Sequence, residues 1–165
     1  RLQDIQDPAR SLDRAREYWQ QQSRSEKWIQ QRMTGQETRN KLTDYWKDHG
    51  VKGDEYAILT NIIHQEWSDV TVKQHKAIKG LKTQNLRDHM SEAELLFTAL
   101  AELTTRQIAE RDGAEGLPKN ADSGRKGGRM AKRARVDFEL ETGSKVVSGE
   151  NFLPPKPEKK KLKKR

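Results

Sequence analysis

Residues 91–113 read SEAELLFTALAELTTRQIAERDG, and this stretch decides the fold class. Ser91 and Glu94 form a capping box, in which each side chain bonds the backbone N–H of the other residue at a helix start. Apolar side chains then recur every three or four residues, which places them on one face of a helix. They are Ala93, Leu96, Phe97, Leu100, Leu103 and Ile108. Gly113 predicts the helix end, so we expect a long amphipathic helix.

The segment 54–67 is the most apolar part of the chain and predicts a second core helix. Further helices are predicted at about 8–33, 36–49, 72–79 and 83–89, and a glycine at position 35 is expected to separate the first two. The expected core consists of Leu59, Ile62, Ile63, Leu96, Phe97, Leu100 and Leu103. We therefore predict an all-α fold, an irregular array of five to seven helices with a disordered basic C-terminal tail.

The composition predicts a thin core. Apolar residues make up 32% of the 165-residue chain and charged residues 35%, whereas globular chains are typically about 45–50% apolar. A chain of this kind gains little from burial, so we hypothesise that it forms a homodimer through the face of the 92–112 helix.

Several classes of protein are disfavoured by what the sequence lacks. It has no cysteine, which excludes a thiol nucleophile and cysteine-based metal sites. No glycine-rich phosphate loop, nucleophile elbow or metal-ligand spacing occurs, so we expect no enzyme activity, metal or cofactor. No apolar run approaches the roughly 18 residues needed to cross a bilayer. We therefore expect a cytoplasmic protein without a membrane partner, and association with the nucleoid is compatible with this.

The end of the chain is strongly basic. Residues 156–165 contain seven basic side chains and one carboxylate, so they hold +6 of the net charge of +8. The basic residues are Lys156, Lys159, Lys160, Lys161, Lys163, Lys164 and Arg165. Such a tail is typical of an arm that binds the nucleic-acid backbone with low sequence specificity. The alternative is a solvated, disordered end that aids solubility.

A second basic segment lies within residues 114–143, where a loop over 114–124 is predicted to lead into a helix. Its candidate DNA-binding residues are Arg125, Lys126, Arg129, Lys132, Arg133 and Arg135. Gly124, Gly127 and Gly128 would allow a phosphate chain to approach the backbone. The alternative is a solvated helix whose charge is offset by nearby carboxylates. The predicted organisation is a helical body at 1–113, a basic loop–helix at 114–143 and a disordered tail at 144–165.

Aromatic and imidazole side chains have mainly structural interpretations. Trp19, Trp46 and Trp67 lie on apolar helix faces and are predicted to be core residues, whereas Trp28 has polar neighbours and is predicted to be exposed. The four histidines show no metal-ligand spacing. For His89 we predict a hydrogen bond that fixes the turn before the capping box.

The region around the capping box resembles a known family. The pattern consists of His75, Lys79-Gly80-Leu81, Asp88-His89-Met90, Ser91, Glu94-Leu95, Phe97 and Arg111-Asp112-Gly113. It is similar to the C-terminal half of the DNA-damage-inducible protein D family and related prophage-type proteins, over roughly residues 7–155. The family usually carries an N-terminal BRO-type domain, thought to bind DNA, and these 165 residues do not contain that domain.

The resemblance implies a regulator of the DNA-damage (SOS) response that engages DNA, a RecA-type recombinase or a repressor protein. The alternative is a phage antirepressor-like module that binds only protein and makes no direct DNA contact. The charge distribution favours contact with DNA, whereas the resemblance supplies only the biological context.

Overall fold

The computed structural model describes residues 8–155, and side-chain burial from residue 10 onward. This part of the chain is all-α, as predicted, with six α-helices and no strand. They are α1 (Pro8–Gln21), α2 (Glu26–Asp48), α3 (Tyr56–Ser68), α4 (Val72–Ile78), α5 (Glu92–Asp112) and α6 (Gly116–Thr142), with 3₁₀ turns at Gly53–Glu55 and Leu86–His89. The predicted basic tail at 156–165 lies outside the described residues.

The first helix boundary differs from the prediction. Residues 22–25 separate α1 from α2. Ser25 caps α2 by accepting from the backbone N–H of Trp28 at 3.2 Å. Gly35 was wrongly predicted to separate two helices, because it lies inside α2. Glycine weakens a helix by only about 1 kcal/mol. Gln36 spans this position by accepting from Arg32 and donating to Asn40, which supports the turns on either side.

Helix α5 has the predicted ends but a different buried face. Both hydrogen bonds of its capping box are present, and Gly113 ends it with φ +58°. Its buried side includes polar residues, namely Glu94, Thr98, Glu102 and Thr105, beside Ala101 and Ala109. Leu96 and Leu103, predicted to be core residues, are 51% and 37% exposed. Polar side chains can occupy the buried face because each of them has a hydrogen-bond partner there.

Helix α6 begins well before its predicted start, so the predicted loop over 114–124 is wrong in its greater part. The left-handed Gly116 (φ +76°) turns the chain into the helix. The buried amide of Asn120 then donates to the carbonyls of Ala114 and Gly116, which holds the first turn. These side-chain bonds compensate for a segment whose composition is typical of a loop.

The helices enclose two apolar clusters. The larger joins α2, α3, α5 and α6 around Trp46, Leu59, Ile63, Trp67 and Phe97. The smaller lies around Trp19, Trp28, Ile29, Leu86 and Met90. Burial of Trp19, Trp46 and Trp67 is confirmed. The prediction for Trp28 is wrong, since it is 5% exposed and its indole N–H donates to the Met90 carbonyl at 2.8 Å.

Residues 144–155 were predicted to belong to the disordered tail, but they pack against the helical body. Val146 is buried, and the backbone N–H of Phe152 donates to Nδ1 of His89 at 3.0 Å. The Arg24 guanidinium lies 3.9 Å from the centre of the Phe152 ring. His89 therefore holds this C-terminal segment, rather than fixing the turn before α5 as predicted.

Candidate nucleic-acid interface

Helix α6 exposes a row of basic side chains. Arg125, Lys126, Arg129 and Arg133 are exposed and Lys132 is half-exposed. Steps of three, four and seven residues place all five on one side of a helix. Arg125 and Arg133 are eight residues apart, which corresponds to about 12 Å along the axis. We call these five residues the basic face.

The ion pairs on the basic face are accessible to solvent. Arg125 contacts Asp122 at 2.9 Å and Lys132 contacts Asp69 at 2.7 Å, and all four side chains are more than 40% exposed. Exposed pairs of this kind typically contribute about 0–1 kcal/mol, so a phosphate can replace the carboxylate at little cost. Lys126 and Arg133 form no ion pair with any described residue.

Arg135 does not belong to this face, so the prediction that it is one of the DNA-binding cations is wrong. It is buried, and its Nε donates to the Trp67 carbonyl at 2.7 Å. Its terminal nitrogens contact Asp69 and Glu139, each at 2.7 Å. The position lies on the side of α6 that packs against α3, so its charge is used within the fold.

The glycines of α6 also have a different role from the predicted one. Gly124, Gly127 and Gly128 are buried and face α3 and α5 rather than solvent. A side chain at Gly127 would meet Thr105, and one at Gly128 would meet Glu66. The absence of side chains therefore permits close helix packing and not the approach of a phosphate chain.

A buried chain of polar groups, which was not predicted from the sequence, lies behind α4. Nε2 of His64 lies 2.9 Å from Nδ1 of His75, and Nε2 of His75 contacts Glu94. Lys79 donates to the same carboxylate at 2.6 Å and to the Glu150 carbonyl at 2.7 Å. A carboxylate only accepts, so His75 carries a hydrogen on Nε2, and one hydrogen lies between Nδ1 of His75 and Nε2 of His64.

The protonation states follow from burial and these partners. Burial, together with the adjacent ring of His75, lowers the pKa of His64 to about 3. Burial alone would raise the pKa of Glu94, but hydrogen bonds from His75 and Lys79 outweigh it and lower that pKa. At neutral pH the cluster thus contains a neutral His64 and an ionised Glu94.

A second buried carboxylate, Glu102, joins two arginines. Arg87 donates to it at 2.7 and 2.9 Å, and Arg39 donates at 3.0 Å. Burial would raise the pKa of Glu102, but the charges and hydrogen bonds of Arg87 and Arg39 lower it. The spacing of Glu94, Thr98 and Glu102 on one face of α5 is the available sequence signal, but it does not reveal their partners.

The pKa of His64 predicts a pH dependence of stability. Its ordinary pKa is 6.5 and its folded value is about 3, so at intermediate pH only the unfolded chain binds this proton. The contribution is present above about pH 6.5 and is lost on acidification, by about 2 kcal/mol from about pH 7 to about pH 5. Urea denaturation at both pH values measures it. His64→Gln should remove that part of the loss, and an unchanged loss would contradict the assignment.

In residues 8–155, no group of histidine and acidic side chains is arranged to hold a metal ion. None of the described helices is both long enough and apolar enough to cross a membrane.

No protein-family model matches the chain, and no curated protein matches it significantly. The resemblance to the DNA-damage-inducible protein D family therefore stays a prediction.

Proposed function

We propose that this protein is a non-enzymatic regulator that binds the phosphate backbone of DNA through the basic face of α6. The observation that supports the proposal is the alignment of five cations on one accessible side of a helix. Arginine binds phosphate through two parallel N–H groups, and lysine binds it as a point charge. Contacts of this kind position a protein on DNA without reading its sequence.

The resemblance supplies the context of the proposed function, the DNA-damage response, with a RecA-type recombinase or a repressor as the protein partner. The basic residues at 156–165 would extend the contact along the backbone, because each cation near a phosphate releases counterions. They lie outside the described residues, so the proposal is tested first on α6.

A salt titration of single- and double-stranded DNA binding tests the proposal. If the basic face neutralises five phosphates, its contribution to the slope of log K against log salt is about −4.5 for double-stranded DNA and about −3.5 for single-stranded DNA. Arg129→Glu with Arg133→Glu should weaken binding at least about tenfold and make the slope shallower. Fluorescence anisotropy with labelled oligonucleotides measures both quantities.

The matched control reverses two exposed lysines of α2, Lys41→Glu with Lys47→Glu, and so changes the net charge equally. It should weaken binding much less, because only long-range attraction is lost. Absence of binding at about 50 mM salt, or an affinity that barely changes with salt, would contradict the proposal. An equal loss in both double variants would indicate net charge rather than a defined face.

The second candidate is an antirepressor-like module that binds only protein, and the exposed leucines of α5 favour it. Leu96 and Leu103 lie on the same side of α5, opposite its polar buried face, and both are accessible to a partner. Large exposed apolar side chains often mark protein contacts when they are grouped. In this case reversal of Arg129 and Arg133 would leave partner binding intact, whereas Leu96→Ser with Leu103→Ser would weaken it.

A further inference from the structure

Two adjoining cavities lie beside α3, α4 and the turn Leu86–His89. The inner one has a volume of about 310 Å³ and the outer one about 500 Å³. Both are lined by Thr60, Val72 and Lys76, so they form one continuous cleft. Pockets for small molecules are typically about 300–1,000 Å³.

The cleft is separate from the basic face. Thr60, Asn61 and His64 of α3 line it, whereas Ile63 and Glu66 of the same helix face the glycines of α6. At 100° per residue these two sets lie on different sides of α3. A ligand in the cleft would therefore not compete directly with DNA on α6.

The outer cavity is positively charged. Lys73, Lys76 and Lys82 line it, and neither cavity has a carboxylate in its wall. None of these three lysines forms an ion pair within the described part of the chain. Like charges at one cavity repel one another, and an anion bound between them lowers this electrostatic energy. The outer cavity thus has the chemistry of a phosphate site.

The inner cavity is partly apolar, and the buried side chain of His64 also lines it. Val72, Leu86 and Met90 supply apolar surface. His64 is 5% exposed, and its Nε2 is bonded to His75. Its other nitrogen, Nδ1, has no hydrogen-bond partner among residues 8–155. Because Nε2 is engaged by His75, Nδ1 is the ring nitrogen that is left to form a hydrogen bond with a polar group of a ligand.

We infer that this cleft binds a nucleoside phosphate. The base and sugar fill the inner cavity and form a hydrogen bond with Nδ1 of His64, while the phosphate lies among Lys73, Lys76 and Lys82. Inorganic phosphate would leave the inner cavity and Nδ1 of His64 unused. An apolar ligand would leave the three lysines without a counter-charge. The nucleotide is either free in solution or the phosphorylated terminal nucleotide of a strand, since both present the same chemistry.

Calorimetric titration of the full chain with AMP, GMP, CMP and UMP tests this inference, with adenosine and inorganic phosphate as partial ligands. At least one mononucleotide should bind more tightly than either partial ligand. Lys76→Gln should weaken that binding roughly tenfold or more, as expected for loss of one charge-assisted contact. Lys41→Gln on α2, also an exposed lysine, is the matched control and should leave the affinity within about twofold.

Nitrogen chemical shifts of the His64 ring provide a readout that needs no variant of this buried residue. The Nδ1 resonance should move on addition of the mononucleotide and not on addition of phosphate. Competition by a 5′-phosphorylated oligonucleotide, measured in the Arg129→Glu, Arg133→Glu background, supports the strand end as the source. Binding of the mononucleotide without such competition supports a free nucleotide. No nucleotide binding, an unmoved Nδ1 resonance or an unaffected Lys76→Gln variant would overturn the inference.

Discussion

Replacement of Glu102 by glutamine is expected to lower the free energy of unfolding by about 3–5 kcal/mol, because it leaves two arginines in the fold without their counter-charge. Glu102 is 2% exposed, and it accepts hydrogen bonds from Arg87 and Arg39. Glutamine has nearly the same shape, so the change in packing is small and the loss reports the charge. Urea denaturation followed by tryptophan fluorescence measures it.

The same substitution on the exposed side of α5 is the control. Glu110 forms an ion pair with Arg106 at 2.8 Å, but its side chain is 48% exposed. Glu110→Gln is therefore expected to cost at most about 0.5 kcal/mol, as for other i, i+4 pairs on helix surfaces. Equal effects at Glu102 and Glu110 would show that burial does not amplify the charge interaction.

Replacement of all three partners distinguishes the loss of a counter-charge from damage to packing. Arg39→Met, Arg87→Met and Glu102→Leu together remove every charge of the group and are expected to recover much of the stability lost in Glu102→Gln. A triple variant that is less stable than the single variant would mean that the ionic group is itself stabilising.

Local features made the fold class and several helix ends predictable from sequence. The capping box of Ser91 and Glu94 and the glycine at position 113 act through neighbouring backbone atoms, so α5 has its predicted bounds. The end of α1 was missed because the chain turns there through Ser23, whose backbone is left-handed (φ +61°), and no glycine marks the turn. A strong local signal such as a capping box predicts a helix start reliably, whereas a weak one, such as the single glycine at position 35, does not predict a helix end.

The buried face of α5 could not be read from apolar periodicity. Leu96 has the apolar character of a core residue but is exposed, whereas Glu102 is buried. The difference depends on Arg39, which is 63 positions away in sequence and donates to Glu102. Burial of a carboxylate is favourable only when such partners are present, and their presence is a property of the tertiary structure.

The candidate sites were predictable to different degrees. The basic face follows from composition and helical spacing, because five cations recur within nine residues of one helix. The position of Arg135 does not, since the direction of a side chain depends on where α3 packs. His64 and His75 are 11 positions apart on separate helices, so their pairing and the cleft beside them depend on the turn between α3 and α4.

Replacement of Gly127 by alanine is expected to destabilise the fold by about 3 kcal/mol or more, because α6 and α5 are in contact at this point. An added Cβ would lie 2.3 Å from Oγ1 of Thr105, and 2.6 and 2.8 Å from its backbone N and Cα. The hydroxyl can rotate away, but the backbone atoms move only if the helices separate. Thermal and urea denaturation measure the loss.

Gly35→Ala is the matched control, because Gly35 lies inside α2 and an added Cβ would have no atom within 4 Å. There the usual preference of helices for alanine applies, and stability should rise by about 0.5–1 kcal/mol. Changes in stability of opposite sign at the two positions would show that the cost at Gly127 arises from contact between helices, since helix propensity favours alanine at both. A neutral or stabilising Gly127→Ala would mean that α5 and α6 are farther apart in solution than described, and the packing that orients the basic face would then need revision.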